Sequence, residues 1–138
     1  MDDALRVLLV DDEEDYLRTA AKIFRRKGID AEVCSVGRDV PALLEEKQCQ
    51  VVVLDLKMPG MGGLEVLREI KARQPLVQVI ILTGHASSDD AAVCLTSGAF
   101  DFLSPQGRGR GFDGHGRPRR QSGALLSAIF LNGFASLS

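Results

Sequence analysis

The chain has 138 residues, enough for one compact core and too few for two full-sized domains. Hydrophobic residues make up 45% and charged residues 26%, an ordinary globular balance that excludes collagen, a coiled coil and wholesale disorder. The net charge of −2 conceals an asymmetry, because residues 1–103 carry 12 basic against 18 acidic groups while residues 104–138 carry five arginines against Asp113 alone. Aliphatic runs such as Val7–Val10 and Val51–Leu54 are four residues long, so no membrane span fits. No basic stretch followed by a long apolar one opens the chain, so no secretory signal is read and a cytoplasmic location is expected. Cys34, Cys49 and Cys94 are odd in number and far apart, which predicts buried or half-buried thiols rather than a disulfide or a metal site.

Leu5–Val10 reads as a buried strand running directly into the acidic cluster Asp11–Asp15. From Glu14, the apolar positions Leu17, Ala20, Ala21 and Phe24 recur at helical spacing. Arg25, Arg26 and Lys27 collect in the last turn and Gly28 stops the helix. Ile29–Ser35 is a weaker strand, and Val40, Leu43 and Leu44 give the stripe of a short helix with Pro41 in its first turn. Val51–Leu56 is the strongest strand signal and holds a carboxylate, Asp55, among apolar neighbours; residues 57–63 form a Pro/Gly-rich loop. Leu64, Val66, Leu67 and Ile70 mark a third helix, Val77–Leu82 a fourth strand, Asp89–Ser97 a helix closed by Gly98, and Ala99–Leu103 a fifth strand.

Strands alternating with helices imply right-handed βαβ units and a parallel sheet covered on both faces. The expected fold class is therefore α/β, doubly wound, with five strands in the order 2-1-3-4-5. Ligands bind such sheets beyond the strand C-termini where the strand order reverses, and Asp11, Asp12 and Asp55 all fall there. Three carboxylates at adjoining strand ends repel one another unless a cation offsets them, and all-oxygen ligation suits Mg²⁺. Asp55 then reads as a nucleophile toward phosphorus, with Thr83 placing a hydroxyl donor on the same rim. Taken alone, Asp11 and Asp12 read equally well as N-cap and first-turn acids of the first helix. A carboxylate ending an apolar strand is harder to explain without function.

Asp11-Asp12 after LRVLLV, VVVLDLKMPGMGGLEVL around Asp55, ILTGHAS around Thr83 and SGAFDFL at 97–103 together resemble the receiver domain of two-component response regulators. The resemblance covers residues 5–103 and implies a flavodoxin-like receiver fold. It implies Asp55 as phosphoacceptor, and Asp11, Asp12, Asp55 and the backbone carbonyl of Lys57 as Mg²⁺ ligands. It further implies Thr83 as the switch hydroxyl and Phe102 as the aromatic that follows it. The phosphoryl donor would be a sensor histidine kinase or a phosphotransfer protein, and the chain would signal to a downstream protein rather than act as an enzyme. His85, two residues past Thr83, is a candidate modulator of water attack, although a solvated loop histidine explains it as well.

The sequence departs from the family after the fifth strand. Ser104-Pro105 stands where the family has Lys-Pro, so the lysine that pairs with the phosphoryl group is absent; Lys57 is a candidate partial substitute. Residues 104–123 read as a disordered Gly/Arg-rich linker, and 124–138 as an apolar tail with an atypical helix and no clean stripe in place of the family's fifth helix. Charge sign, Gly content and helical pattern change together at Ser104, which points to a shifted reading frame; a genuine appendage is the alternative. Thirty-five residues after the fifth strand are too few for that helix plus a DNA-binding domain. The arginine tract has one aromatic, Phe112, and nucleic acid is not expected as a partner. Sheet surface left bare by a missing helix would invite dimerisation. An aspartyl-phosphate phosphohydrolase is the alternative enzyme reading, and the Asp11–Asp15 cluster fits its usual nucleophile motif poorly.

Overall fold

The computed structural model describes residues 5–56, 58, 60–82 and 88–103. Lys57, Thr83, His85, the Gly/Arg-rich linker and the apolar tail lie outside them. The described chain alternates strand and helix: β1 Arg6–Val10, α1 Glu14–Arg26, β2 Asp30–Cys34, α2 Val40–Lys47, β3 Val51–Leu54, α3 Gly63–Arg73, β4 Gln78–Leu82, α4 Ser88–Thr96 and β5 Asp101–Leu103. All neighbouring strands pair in parallel, and the order is β2-β1-β3-β4-β5. The expected fold class is the observed one.

The strands are apolar at nearly every position because both faces are covered. On one face Leu8, Val10, Val52, Leu54, Val79 and Ile81 pack with α2, α3 and α4 through Val40, Leu44, Val66, Leu67, Ile70 and Cys94. On the other, Val7, Leu9, Val51, Val53, Ile80 and Leu82 pack with Leu17, Ala20, Ala21 and Phe24 of α1. The period of two along each strand and the helical spacing in α1 thus meet in two separate apolar layers. Gly28, at φ +80°, turns the chain out of α1 toward β2, a backbone conformation that costs a β-carbon residue energy.

Element ends move by one or two residues from the sequence reading, each for a local reason. β3 stops at Leu54, although the Asp55 N–H still donates to the Val10 carbonyl at 3.0 Å. β5 starts at Asp101 because Ala99 is used to close α4, its N–H donating to the Cys94 carbonyl at 3.0 Å.

The three cysteines are free and buried. Burial pushes the Cys49 thiol from 9.0 up to about 11, with the Arg6 guanidinium a smaller opposing influence. Burial likewise raises Cys34 and Cys94. Two units correspond to about a hundredfold smaller thiolate fraction at Cys49, and the thiolate is the nucleophile. Native protein in iodoacetamide at pH 8 should therefore label at Cys49 far more slowly than the same protein in urea; prompt native labelling, read by peptide mass, would contradict this burial.

Candidate functional site

The β1–β3 register places Val10 opposite Leu54, so the next residue on each strand, Asp11 and Asp55, emerges at neighbouring positions of one edge. Both are odd-numbered, and continuing the alternation of Val7 and Leu9 and of Val51 and Val53 puts them on the same side, toward α1. Backbone bonds fix the two tips: Asp11 N–H donates to Cys34 O at 3.3 Å, and Asp55 N–H to Val10 O at 3.0 Å. The side chain of Asp11 accepts the Glu13 N–H at 2.9 Å, which anchors the turn into α1. Asp11 and Asp55 are 7% and 8% exposed, and Asp12 is exposed, so the group opens to solvent through Asp12.

One carboxylate oxygen from each of Asp11, Asp12 and Asp55 lies within 4.8 Å of the others. At that separation and an effective dielectric of 20, each like-charged pair repels by about 3 kcal/mol before screening by neighbouring groups. The spacing is close to the roughly 4.2 Å between opposite oxygens around Mg²⁺, and the donors are all hard oxygens, so the residues present fit that ion. The capping alternative for the two acids does not hold as stated. Helix α1 begins at Glu14 with Glu13 as its N-cap residue, which leaves Asp11 and Asp12 ahead of the helix.

Phe102 lies apart from this group. It pairs with Ile81 at the sheet edge, so it projects to the α2–α4 face, half-buried against that apolar layer. Its backbone N–H donates to its neighbour's Asp101 Oδ1 at 2.7 Å. Thr83 and His85 follow Leu82 in the sequence and lie outside the described residues, as does Lys57.

One contributor is legible only in three dimensions. Sequence reading gives Gly60, Gly62 and Gly63 to turn geometry, which suits Gly60 at φ +75°. Gly63 is different: a Cβ there would lie 2.5 Å from the Asp55 carbonyl oxygen and 2.6 Å from Leu56 Cα. The first turn of α3 presses directly on the backbone that carries Asp55, and the Gly63 N–H donates to Leu56 O at 3.0 Å. The adjacent Gly62 would meet nothing within 4 Å. A glycine pair at a helix start was the available signal, without an indication of which member is constrained.

The response regulator receiver domain model matches residues 7–108, about three quarters of the chain. The chain belongs to this family. The receiver domain is 36% identical over 97 residues to the DNA-binding transcriptional regulator NtrC of Salmonella typhimurium, covering 70% of this chain and 21% of that protein. It is 32% identical over 98 residues to the regulatory protein AtoC of Escherichia coli, covering 71% and 21%. The chain thus spans about one fifth of the length of the curated relatives it matches. Among solved structures, a response regulator receiver domain protein from Clostridium thermocellum matches with TM-score 0.69 and 28% identity, covering 95% of this chain and 98% of that one. A CheY-like receiver domain from Methanospirillum hungatei matches in fold with TM-score 0.75 at 23% identity, covering 93% and 92%. Receiver domains are signalling modules rather than enzymes in general, and this receiver has, among its described residues, no helix long and apolar enough to cross a membrane.

Proposed function

We propose that Asp55 accepts a phosphoryl group from a phosphohistidine of a sensor kinase or phosphotransfer protein and that the modified chain signals by protein contact. The observation that carries this reading is the convergence of three carboxylates within 4.8 Å at the tips of adjacent strands in a receiver domain. Asp11, Asp12 and Asp55, with the backbone carbonyl of Lys57, would hold Mg²⁺. When bound, that ion would offset negative charge on the phosphoryl oxygens.

A carboxylate oxygen of Asp55 attacks phosphorus; the O–P bond forms as the P–N bond breaks, and the departing imidazole nitrogen takes up a proton. The burial of the Asp11–Asp55 pair beside the exposed Asp12 leaves a donor access on one side and holds the nucleophile still on the other. Thr83 donates a hydrogen bond to the new phosphoryl group, and Phe102 carries the change to the sheet edge. The lysine that usually pairs with the phosphoryl group is replaced by Ser104, so one charge-assisted contact is lost. Lys57 partly fills that role, and His85 modulates the attack of water that ends the signal. The reading places the receiver at 1–103, followed by a linker over 104–123 and a tail over 124–138, in the cytoplasm. Among the described residues no observation favours the alternative phosphohydrolase reading, and the arginine tract of the alternative nucleic-acid reading lies outside them.

The test is incubation of the full chain with a small acyl phosphate and Mg²⁺, followed by intact mass. One added phosphoryl group is expected, absent without Mg²⁺ and absent in Asp55→Asn. An unmodified wild-type mass, or an adduct that survives Asp55→Asn, overturns the assignment.

A further inference from the structure

The turn between β2 and α2 touches the acidic site from two sides. Its start is tied to the Asp11 tip: the Cys34 carbonyl accepts the Asp11 N–H at 3.3 Å, and the Cys34 thiol donates to the Val36 carbonyl at 3.1 Å. The chain then closes into a 3-10 turn, Gly37–Asp39, with the Asp39 N–H donating to the same Val36 oxygen at 3.1 Å. One carbonyl therefore fastens the turn to the strand end beside Asp11.

Gly37 makes the second contact. It is buried, and a Cβ there would lie 2.8 Å from the Met61 carbonyl oxygen, 3.0 Å from Val66 Cγ2 and 3.4 Å from Met58 Cε. Its φ is not positive, unlike those of Gly28, Gly60 and Gly98, so space rather than backbone conformation requires a glycine. The nearest of these atoms is backbone and cannot swing aside. Met61 leads through Gly62 into Gly63, whose own Cβ would lie 2.5 Å from the Asp55 carbonyl oxygen. Two close approaches thus stand in series, the 3-10 turn on Met61 and the start of α3 on Asp55. Met58 and Met61 are half-buried against the apolar layer that holds Val40 and Leu44 of α2 and Val66 of α3. A close-packed layer of this kind transmits a displacement instead of absorbing it.

We infer that Gly37 is a positioning residue for the acidic site, seating the β2–α2 turn on Met58 and Met61 so that contacts run in a closed circuit from Asp11 through Cys34, Val36, Gly37, Met61 and Gly63 to Asp55. The pairing of β1 with β3 completes the circuit, with the Asp55 N–H on the Val10 carbonyl. A methyl group at 37 pushes Met61 outward and loosens the support that Gly63 gives the Asp55 backbone, while β1 keeps Asp11 in place. The two carboxylates then fall out of register, and Mg²⁺ tolerates little departure from octahedral geometry. The inference rests on the reading of Asp11, Asp12 and Asp55 as a Mg²⁺ site.

Calorimetric titration of the full chain with Mg²⁺ tests it on wild type, Gly37→Ala and Leu44→Ala. Leu44, 1% exposed in α2, is the control for lost core packing. Gly37→Ala should weaken Mg²⁺ binding by about tenfold or more. Leu44→Ala should leave it within about twofold of wild type. Coupling is reciprocal, so in the wild type Mg²⁺ should slow amide exchange of a peptide spanning 35–40 and leave one spanning 73–77, at the far end of the sheet, unchanged. This second readout needs no variant and decides the matter if Gly37→Ala does not fold. A wild type that binds Mg²⁺ with unaltered exchange at 35–40, or equal affinity in Gly37→Ala and Leu44→Ala, overturns the inference and leaves the metal reading standing. Failure of the wild type to bind Mg²⁺ overturns the metal reading, and this inference with it.

Discussion

Mg²⁺ at a hundred times its dissociation constant is expected to raise the unfolding free energy by about 2.7 kcal/mol, and Asp55→Asn or Asp11→Asn to erase most of that gain. The reason is the crowding of three carboxylates within 4.8 Å, two of them no more than 8% exposed. Folding must bring these charges together, while the unfolded chain holds them far apart, so an ion that binds only the assembled group shifts the equilibrium toward the fold. For a domain of this size the gain corresponds to a melting shift of about ten degrees. Thermal melts with Mg²⁺ and with chelator, on wild type and both variants, measure it. A wild-type melt indifferent to Mg²⁺ refutes the metal reading, and an undiminished shift in both variants moves the ion elsewhere.

Gly63→Ala is expected to cost about 3 kcal/mol or more, against under about 1 kcal/mol for Gly62→Ala. The methyl group added at 63 would sit 2.5 Å from the Asp55 carbonyl oxygen and 2.6 Å from Leu56 Cα, neither of which is the end of a flexible side chain. Relief requires α3 to lift or the Asp55 backbone to shift, and an ångström of movement at a reacting carboxylate is itself costly. At 62 the backbone has φ −71°, open to any residue, and the added group meets nothing. Denaturant unfolding of the two variants side by side gives the comparison. Equal midpoints would show that α3 does not bear on the acidic tip as the structure has it.

Much of the fold was legible because its signals are local. The strands are short aliphatic runs, α1 repeats its apolar residues at helical spacing, and Gly28 ends it where the basic turn predicts. Less legible were positions decided by packing across the chain. The capping alternative for Asp11 was plausible in one dimension because an acid before a helix serves either purpose; the strand register and the start of α1 at Glu14 separate the two. The apparent equivalence of Gly62 and Gly63 dissolves for the same reason, since the atoms that crowd Gly63 belong to residues 55 and 56. The resemblance makes Phe102 the aromatic that follows the switch hydroxyl without saying which face it takes, and the parallel register with Ile81 assigns it to the face opposite the carboxylates.

By itself, the order of residues determined that strands and helices alternate, that carboxylates end two of the strands, and that both faces of the sheet are apolar. These properties follow from side-chain chemistry at fixed spacing along the backbone. Only the tertiary structure decided that Asp11, Asp12 and Asp55 share one small volume and that α3 rests on the peptide beneath Asp55. Distances between residues more than forty positions apart depend on strand order and register, which arise from the simultaneous packing of both sheet faces and are encoded in no single segment.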